Sequence, residues 1–206
     1  RRDDLEYFKQ EVLGIPADIL HRYIDPELVA ERSVSIEKFM NDGTGTFLMS
    51  IDVAQKRDLL AITIGEVDEN GLIWERWIDE SQEKTNLQLE RVRDLCSRYK
   101  PFEIRIDNTG VGIALGDLIE EDGELPPLKR IEFASVIQLP SKKMKMTEYM
   151  ASEFKRALQM GRYNLLNNRH ANQHILGVEK VPLESGGFRI TGKRSEIGRD
   201  DHFWSK

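Results

Sequence analysis

The segment Thr46-Phe-Leu-Met-Ser-Ile-Asp52-Val53 constrains the fold more than any other. Phe47, Met49, Ile51 and Val53 share one parity, and Leu48, Ser50 and Asp52 share the other. That is the period-two repeat of a sheet strand. Asp52 is the odd residue in it, because a carboxylate on a central apolar strand must be hydrated, paired or bound to a cation. After the polar stretch Gln55-Lys-Arg-Asp58, the apolar run Leu59 to Gly65 returns beside the first strand. The chain is therefore expected to fold around a sheet that carries an acid.

Downstream, Asp68-Glu-Asn-Gly71 supplies a hairpin turn, and Leu72 to Ile78 makes a third antiparallel strand. Thr85-Asn-Leu-Gln88 fits a capping box, Leu89, Val92, Cys96 and Tyr99 follow at helical spacing, and Pro101 closes the helix. Phe102 to Asp107 is a short alternating strand that again ends in Asp. A helix between it and the third strand makes a crossover to a parallel neighbour the natural topology. Asn108-Thr-Gly-Val-Gly112 leads into a helix over Ile113 to Ile119, stopped by Gly123 and Pro126-Pro127. Ile131 to Leu139 reads as a fifth strand, Glu148 to Met160 as a helix stopped by Gly161, and Val181 to Ile190 as a hairpin turning at Ser185-Gly-Gly187. Ile197 to Trp204 reads as a helix start with Asp200 and Asp201 in its first turn. The expected class is α/β: a three-strand antiparallel meander plus parallel strands in one mixed sheet, flanked by helices, with an inserted hairpin.

With 206 residues the chain suffices for one well-buried domain and an extension. Residues 1–40 carry short helical patterns broken by Gly14-Ile-Pro16 and Asp25-Pro26, so they are expected to be a connecting segment. The boundary falls at Asn41-Asp-Gly-Thr-Gly45, and residues 41–206 form the domain. The opening Arg1-Arg2-Asp3-Asp4 has no signal-peptide layout and is expected to continue a longer chain. No apolar run is long enough to cross a bilayer, so no membrane partner is expected. Cys96 is the only cysteine, which excludes an intrachain disulfide and a cysteine-based zinc site. A net charge of −6 argues against a nonspecific basic binder. Between Lys129 and His170, however, Lys and Arg outnumber the acids, and that segment is suited to face a polyanion.

Asp52 and Asp107 end strands that can lie side by side, and Asp200 with Asp201 opens a helix able to pack across the same edge. Two carboxylates 4 Å apart repel by ~1 kcal/mol in water and by ~4 kcal/mol at an effective dielectric of 20. A cluster of three or four resolves that conflict by holding divalent cations, and a pair of Mg2+ or Mn2+ ions is a general device for displacement at phosphorus. Local chemistry offers another account of each acid: Asp107 as a turn or cap residue, Asp200 and Asp201 as acids favoured at a helix N-terminus.

Ser-Ile-Asp52-Val-Ala-Gln-Lys-Arg-Asp58-Leu-Leu-Ala-Ile, Ile-Asp107-Asn-Thr-Gly110-Val-Gly112 and Arg-Asp200-Asp201-His202 together resemble the C-terminal nuclease domain of the large terminase subunit of tailed bacteriophages, a ribonuclease H-like fold. The resemblance covers about Thr46 to Lys206. It implies a two-metal endonuclease cutting concatemeric viral DNA during packaging, with Asp52 bridging two ions and Asp107, Asp200 and Asp201 completing the site. It further implies an ATPase upstream, to whose tail and linker residues 1–40 belong, and as partners double-stranded DNA, the small terminase subunit and the portal, in the host bacterial cytoplasm and not as a stable virion component. The late motif of that family often reads His-Asp-Asp, whereas Arg199 precedes the pair here and His202 follows it, leaving open which of the two acids binds metal. Asp58 matches a recurrent acid but is equally a turn residue.

The leading expectation is thus a Mg2+- or Mn2+-dependent DNA endonuclease with little sequence preference. Lys142, Lys143, Lys145, Lys193 and Arg194 are candidate phosphate contacts. The rival is a DNA- or capsid-docking module without catalysis, and an ATP-handling fold ranks last because no glycine-rich phosphate loop follows the first strand.

Overall fold

A computed structural model describes residues 22–35, 45–53, 59–182, 188–192 and 201–206. Asp58, Lys193, Arg194, Asp200 and the hairpin turn at 185–187 lie outside the described residues, and for Asp201 and His202 only the backbone is described. In chain order the elements are helix α1 (Pro26–Arg32) and strands β1 (Ser33–Val34), β2 (Thr46–Val53), β3 (Leu59–Val67) and β4 (Ile73–Gln82). Helix α2 (Thr85–Tyr99), strand β5 (Glu103–Asp107), helix α3 (Val111–Asp122) and strands β6 (Leu128–Ile131), β7 (Val136–Gln138) and β8 (Lys143–Lys145) follow. Helix α4 (Met146–Gln159), strand β9 (Tyr163–Leu166), helix α5 (Arg169–Leu176), strands β10 (Val178–Pro182) and β11 (Phe188–Gly192) and helix α6 (Asp201–Trp204) complete the set.

One mixed sheet of 7 strands has the order β1-β9-β4-β3-β2-β5-β6. The meander β2-β3-β4 is antiparallel, while the pairs β2·β5, β5·β6, β4·β9 and β1·β9 are parallel. Only β3 therefore runs against the rest. Each face of the sheet carries its own core. On one face Met49, Ile51 and Val53 of β2, Leu60, Ile62 and Ile64 of β3, and Ile104 and Ile106 of β5 are buried against Leu89, Val92 and Leu95 of α2 and Leu115 and Ile119 of α3. Cys96 belongs to this core, and its thiol is pushed up to about 11 mainly by burial. The other face carries Tyr23, Ile24, Val29, Phe154, Leu158, Leu165, Ile175, Val178 and Phe203. Residues 22–35 thus share the second core, and Ser33–Val34 forms the sheet's edge strand on β9.

Several sequence expectations hold in detail. Gly71 takes φ +74° in the β3–β4 turn, and Gly161 takes φ +67° after α4. Two do not. Ile131 to Leu139 is not one strand: Leu128–Ile131 pairs with β5, while Val136–Gln138 leaves the sheet and pairs with Lys143–Lys145. The capping box at Thr85 is not used, because Lys84 is the N-cap residue without a side-chain bond and Gln88 is buried.

Helix α6 is a single turn, too short to persist without tertiary contacts. The residues that follow Asp201 supply them. Phe203 packs edge-to-face on Phe154 at a centroid distance of 5.5 Å, the Thr63 and Ser205 hydroxyls are 2.9 Å apart, and Lys206 Nζ stands 2.8 Å from Glu75 Oε1. Glu75 also accepts the Leu166 amide at 2.9 Å, so a buried carboxylate joins β4, β9 and the end of α6. Removing one partner of a buried ion pair costs about 3–5 kcal/mol. Glu75→Ala is therefore expected to lower stability by that amount, measured by urea unfolding, and to expose backbone amides near residue 201 to hydrogen exchange.

Candidate metal centre at the carboxyl edge of the sheet

The register of β2 against β5 runs Leu48 to Glu103, Met49 to Ile104, Ser50 to Arg105 and Ile51 to Ile106. One step further sets Asp52 beside Asp107. In a parallel pair facing residues point to the same side, so both carboxylates leave the first core and face the second. Their strands end at the same edge, where parallel α/β sheets place their ligands. Asp52 and Asp107 are both 7% exposed, which puts two acids close together and largely out of water.

The Thr109 hydroxyl donates to Asp107 Oδ2. Asp107 Oδ1 is buried without a hydrogen-bond partner among the described residues. Burial holds this carboxyl above the ordinary range, opposed by the Thr109 hydroxyl and the Phe133 backbone amide. No basic side chain is among the groups that shift it. An orphaned oxygen on a desolvated carboxylate beside a second carboxylate is an all-oxygen donor set of the kind that suits Mg2+ or Mn2+.

Local backbone chemistry fixes Asp107. Gly110 adopts φ 53° and ψ −120°, which turns the chain sharply from β5 into α3. At Gly112 a Cβ would fall 2.1 Å from the Asp107 carbonyl oxygen, so only glycine allows α3 to begin this close to the acid. Arg130 on β6 is held by Asp117 at 2.7 Å and Glu120 at 2.9 Å and donates to Asn108 Oδ1 at 3.1 Å. Its charge is thereby spent beside the site.

Helix α6 packs over β2 and β3 on the face that carries both acids. Ser205 meets Thr63, which pairs with Ser50, two residues before Asp52. Trp204 lies 5.6 Å from Phe133, whose amide bears on Asp107. Asp201 opens this helix one turn before Ser205. Lys142, Lys143 and Lys145 are exposed on the β7–β8 hairpin, which leaves the sheet just beyond Phe133.

Sequence reasoning missed a second group on this edge. Asp52 pairs with Ala61 and Ala61 with Glu80, so Glu80 shares the face of Asp52 two strands away. Glu80 meets His170 and His174 of α5. The available signals were the i, i+4 spacing of the two histidines and the parity of Glu80 in its strand.

No family model matches the chain, and no curated protein matches it either. Solved structures do. The large terminase nuclease of thermophilic phage G20c, solved with bound magnesium, is 14% identical over 80% of this chain and 79% of that one, with a TM-score of 0.63. The HK97 bacteriophage large terminase is 10% identical over 89% of this chain, with a TM-score of 0.65, and this chain spans 42% of it. A mutant nuclease domain of the large terminase subunit of bacterial virus Sf6, solved with manganese and β-thujaplicinol, is 9% identical over 89% of this chain and 95% of that one, with a TM-score of 0.64. The chain has the ribonuclease H-like fold of the large terminase nucleases. In this fold Asp52 and Asp107 stand at the ends of two parallel neighbours, β2 and β5.

Two outcomes follow from the site's geometry. Gly112→Ala forces the Asp107 backbone to move and is expected to cost about 1–3 kcal/mol, the usual range for overpacking, read as a lower midpoint in urea. In Asp107 the folded-state pKa is raised above its ordinary value of 3.8. The metal-free protein therefore binds the extra proton when folded and loses stability as pH rises through the carboxylate range. In EDTA at neutral pH, Asp107→Asn should melt at a higher temperature than the parent, and the gap should close below the ordinary carboxylate pKa.

Proposed function

We propose that this chain is the nuclease domain of a large terminase subunit, a Mg2+- or Mn2+-dependent endonuclease that cuts concatemeric double-stranded DNA during viral genome packaging. The observation that carries the reading is the register that sets Asp52 beside a desolvated, half-satisfied Asp107 at the carboxyl edge of a terminase nuclease fold. Asp52, Asp107 and one of Asp200 and Asp201 would hold the Mg2+ or Mn2+ ions. When bound, the ions lower the pKa of an attacking water and neutralise charge at the scissile phosphate.

The chain's own residues do the rest. Thr109 and Phe133 hold the Asp107 carboxylate in one orientation. Lys142, Lys143 and Lys145 contact backbone phosphates beyond the cut, with Lys193 and Arg194 as further contacts, and such contacts position DNA without reading its sequence. That accounts for cleavage with little sequence preference. Residues 1–40 would lead in from the tail and linker of an upstream ATPase, with 22–35 of them packed into the fold itself, and the small terminase subunit and the portal are the expected partners in the host bacterial cytoplasm.

Asp52→Asn keeps the shape of the side chain and removes its charge. Incubated with supercoiled plasmid and Mn2+, the parent chain is expected to nick and linearise the DNA, and the variant to lose at least a hundredfold in rate while its melting curve stays cooperative. Undiminished cleavage by the variant would refute the assignment of the site. Absence of cleavage by the parent across a metal titration, with DNA still bound, would favour a docking module.

A further inference from the structure

Among the described residues, Glu80, His170 and His174 bring one carboxylate oxygen and two imidazole nitrogens within 4.8 Å of one another. The group differs in chemistry from the Asp52–Asp107 pair. His170 and His174 are one turn apart on α5, so they share a face of the helix. That helix is rigidly set. Asn168 caps it, accepting from the His170 and Ala171 amides at 3.0 and 3.1 Å, and Ala171 and Ile175 are fully buried. Glu80 projects from β4, and the register through Ala61 spaces it from Asp52 by two strand widths, about 10 Å.

His170 Nε2 lies 2.8 Å from Glu80 Oε2, and the two imidazole rings stand 4.6 Å apart at 61°. In a tetrahedral centre with bonds near 2.0–2.1 Å the donors are about 3.4 Å from one another. The donors, all within 4.8 Å of one another, stand near that spacing. Two imidazoles and one carboxylate are the donor set of three-ligand zinc centres, and imidazole selects borderline cations over Mg2+, which prefers oxygen. His174 is buried and His170 is 59% exposed, so one side of the cluster is dry and the other opens to water.

We propose that Glu80, His170 and His174 form a separate three-ligand site for a borderline divalent cation of the Zn2+ class, with its fourth position open to solvent. Such an ion ties α5 to β4. Because α5 also packs on α6, it clamps the helix that carries Asp201. The sheet edge then holds two cation sites of different chemistry, and the second does not depend on the nuclease reading.

Cobalt(II) reports the site directly, since a tetrahedral nitrogen- and oxygen-bound ion gives strong visible absorption. Titrated with Co2+ in the presence of excess Mg2+, the whole chain is expected to develop these bands with one equivalent and to lose them on adding Zn2+. His170 is exposed, so His170→Ala should fold normally by far-UV circular dichroism and bind Co2+ at least tenfold more weakly. Asp52→Asn should bind it as the parent does. Bands that never appear, that survive His170→Ala unchanged, or that vanish in Asp52→Asn while persisting in His170→Ala would each overturn the proposal. The first two outcomes leave a plain His–Glu hydrogen bond, and the third moves the ion to the aspartates.

Discussion

The parallel pairing of β2 with β5 is the interaction on which the rest depends. It sets two acids on neighbouring strands at one level of the sheet, where like charges repel. Nothing in the acids favours it. The opposite face of the same two strands does, because Met49, Ile51, Val53, Ile104 and Ile106 are all buried there. Each such side chain contributes about 1.5–3 kcal/mol on burial, so the apolar face outweighs the repulsion. A slip of one residue would turn that whole set toward the other side of the sheet. The core therefore specifies the position of the acids as strictly as it specifies its own packing.

Asp107 is treated differently from the other acids that the fold buries. On the α2–α3 side three acids have an arginine: Asp79 with Arg91, Glu66 with Arg76 and Asp122 with Arg93. On the opposite face the buried Glu75 has Lys206. Asp107 has a hydroxyl and an amide but no cation, and one of its oxygens is left over. Asp107 thus differs from those acids in having no basic side chain among the groups that shift it. Arg130 sharpens the contrast, since it stands close by and is turned away onto Asp117 and Glu120.

The meander and the crossover to β5 were legible because their signals are local and strong: strict alternation, an Asn-Gly turn, and a helix between strands. What failed had weak or absent local signals. Tyr163-Asn-Leu-Leu166 is buried along its whole length and only four residues long, so it carries no period to read. Helix α5 is short, and its Asn168 cap follows that strand almost directly. The strand expected at Ile131 to Leu139 breaks because Phe133 turns out of the sheet toward Trp204, which no periodicity records. For the site, Asp52 and Asp107 were visible as charges ending apolar strands, whereas Glu80, His170 and His174 are 90 residues apart in part and meet only through the packing of α5 on β4.

Because β3 alone runs against its neighbours, β2, β4 and β5 all finish at one edge of the sheet. Asp52, Glu80 and Asp107 therefore arrive in one row, each on a rigid strand and not on a loop, which is how a fold holds ligands within a fraction of an ångström. Helix α6 is the exception. Its single turn has no stability of its own, and Phe203, Ser205 and Lys206 secure it from behind. The position of this helix is thus borrowed from the second core and from the Glu75 pair, so changes far from the sheet edge reach it through those anchors. The same logic explains why the fold tolerates a desolvated carboxylate: stability is given up locally at Asp107 and supplied by the packing around it.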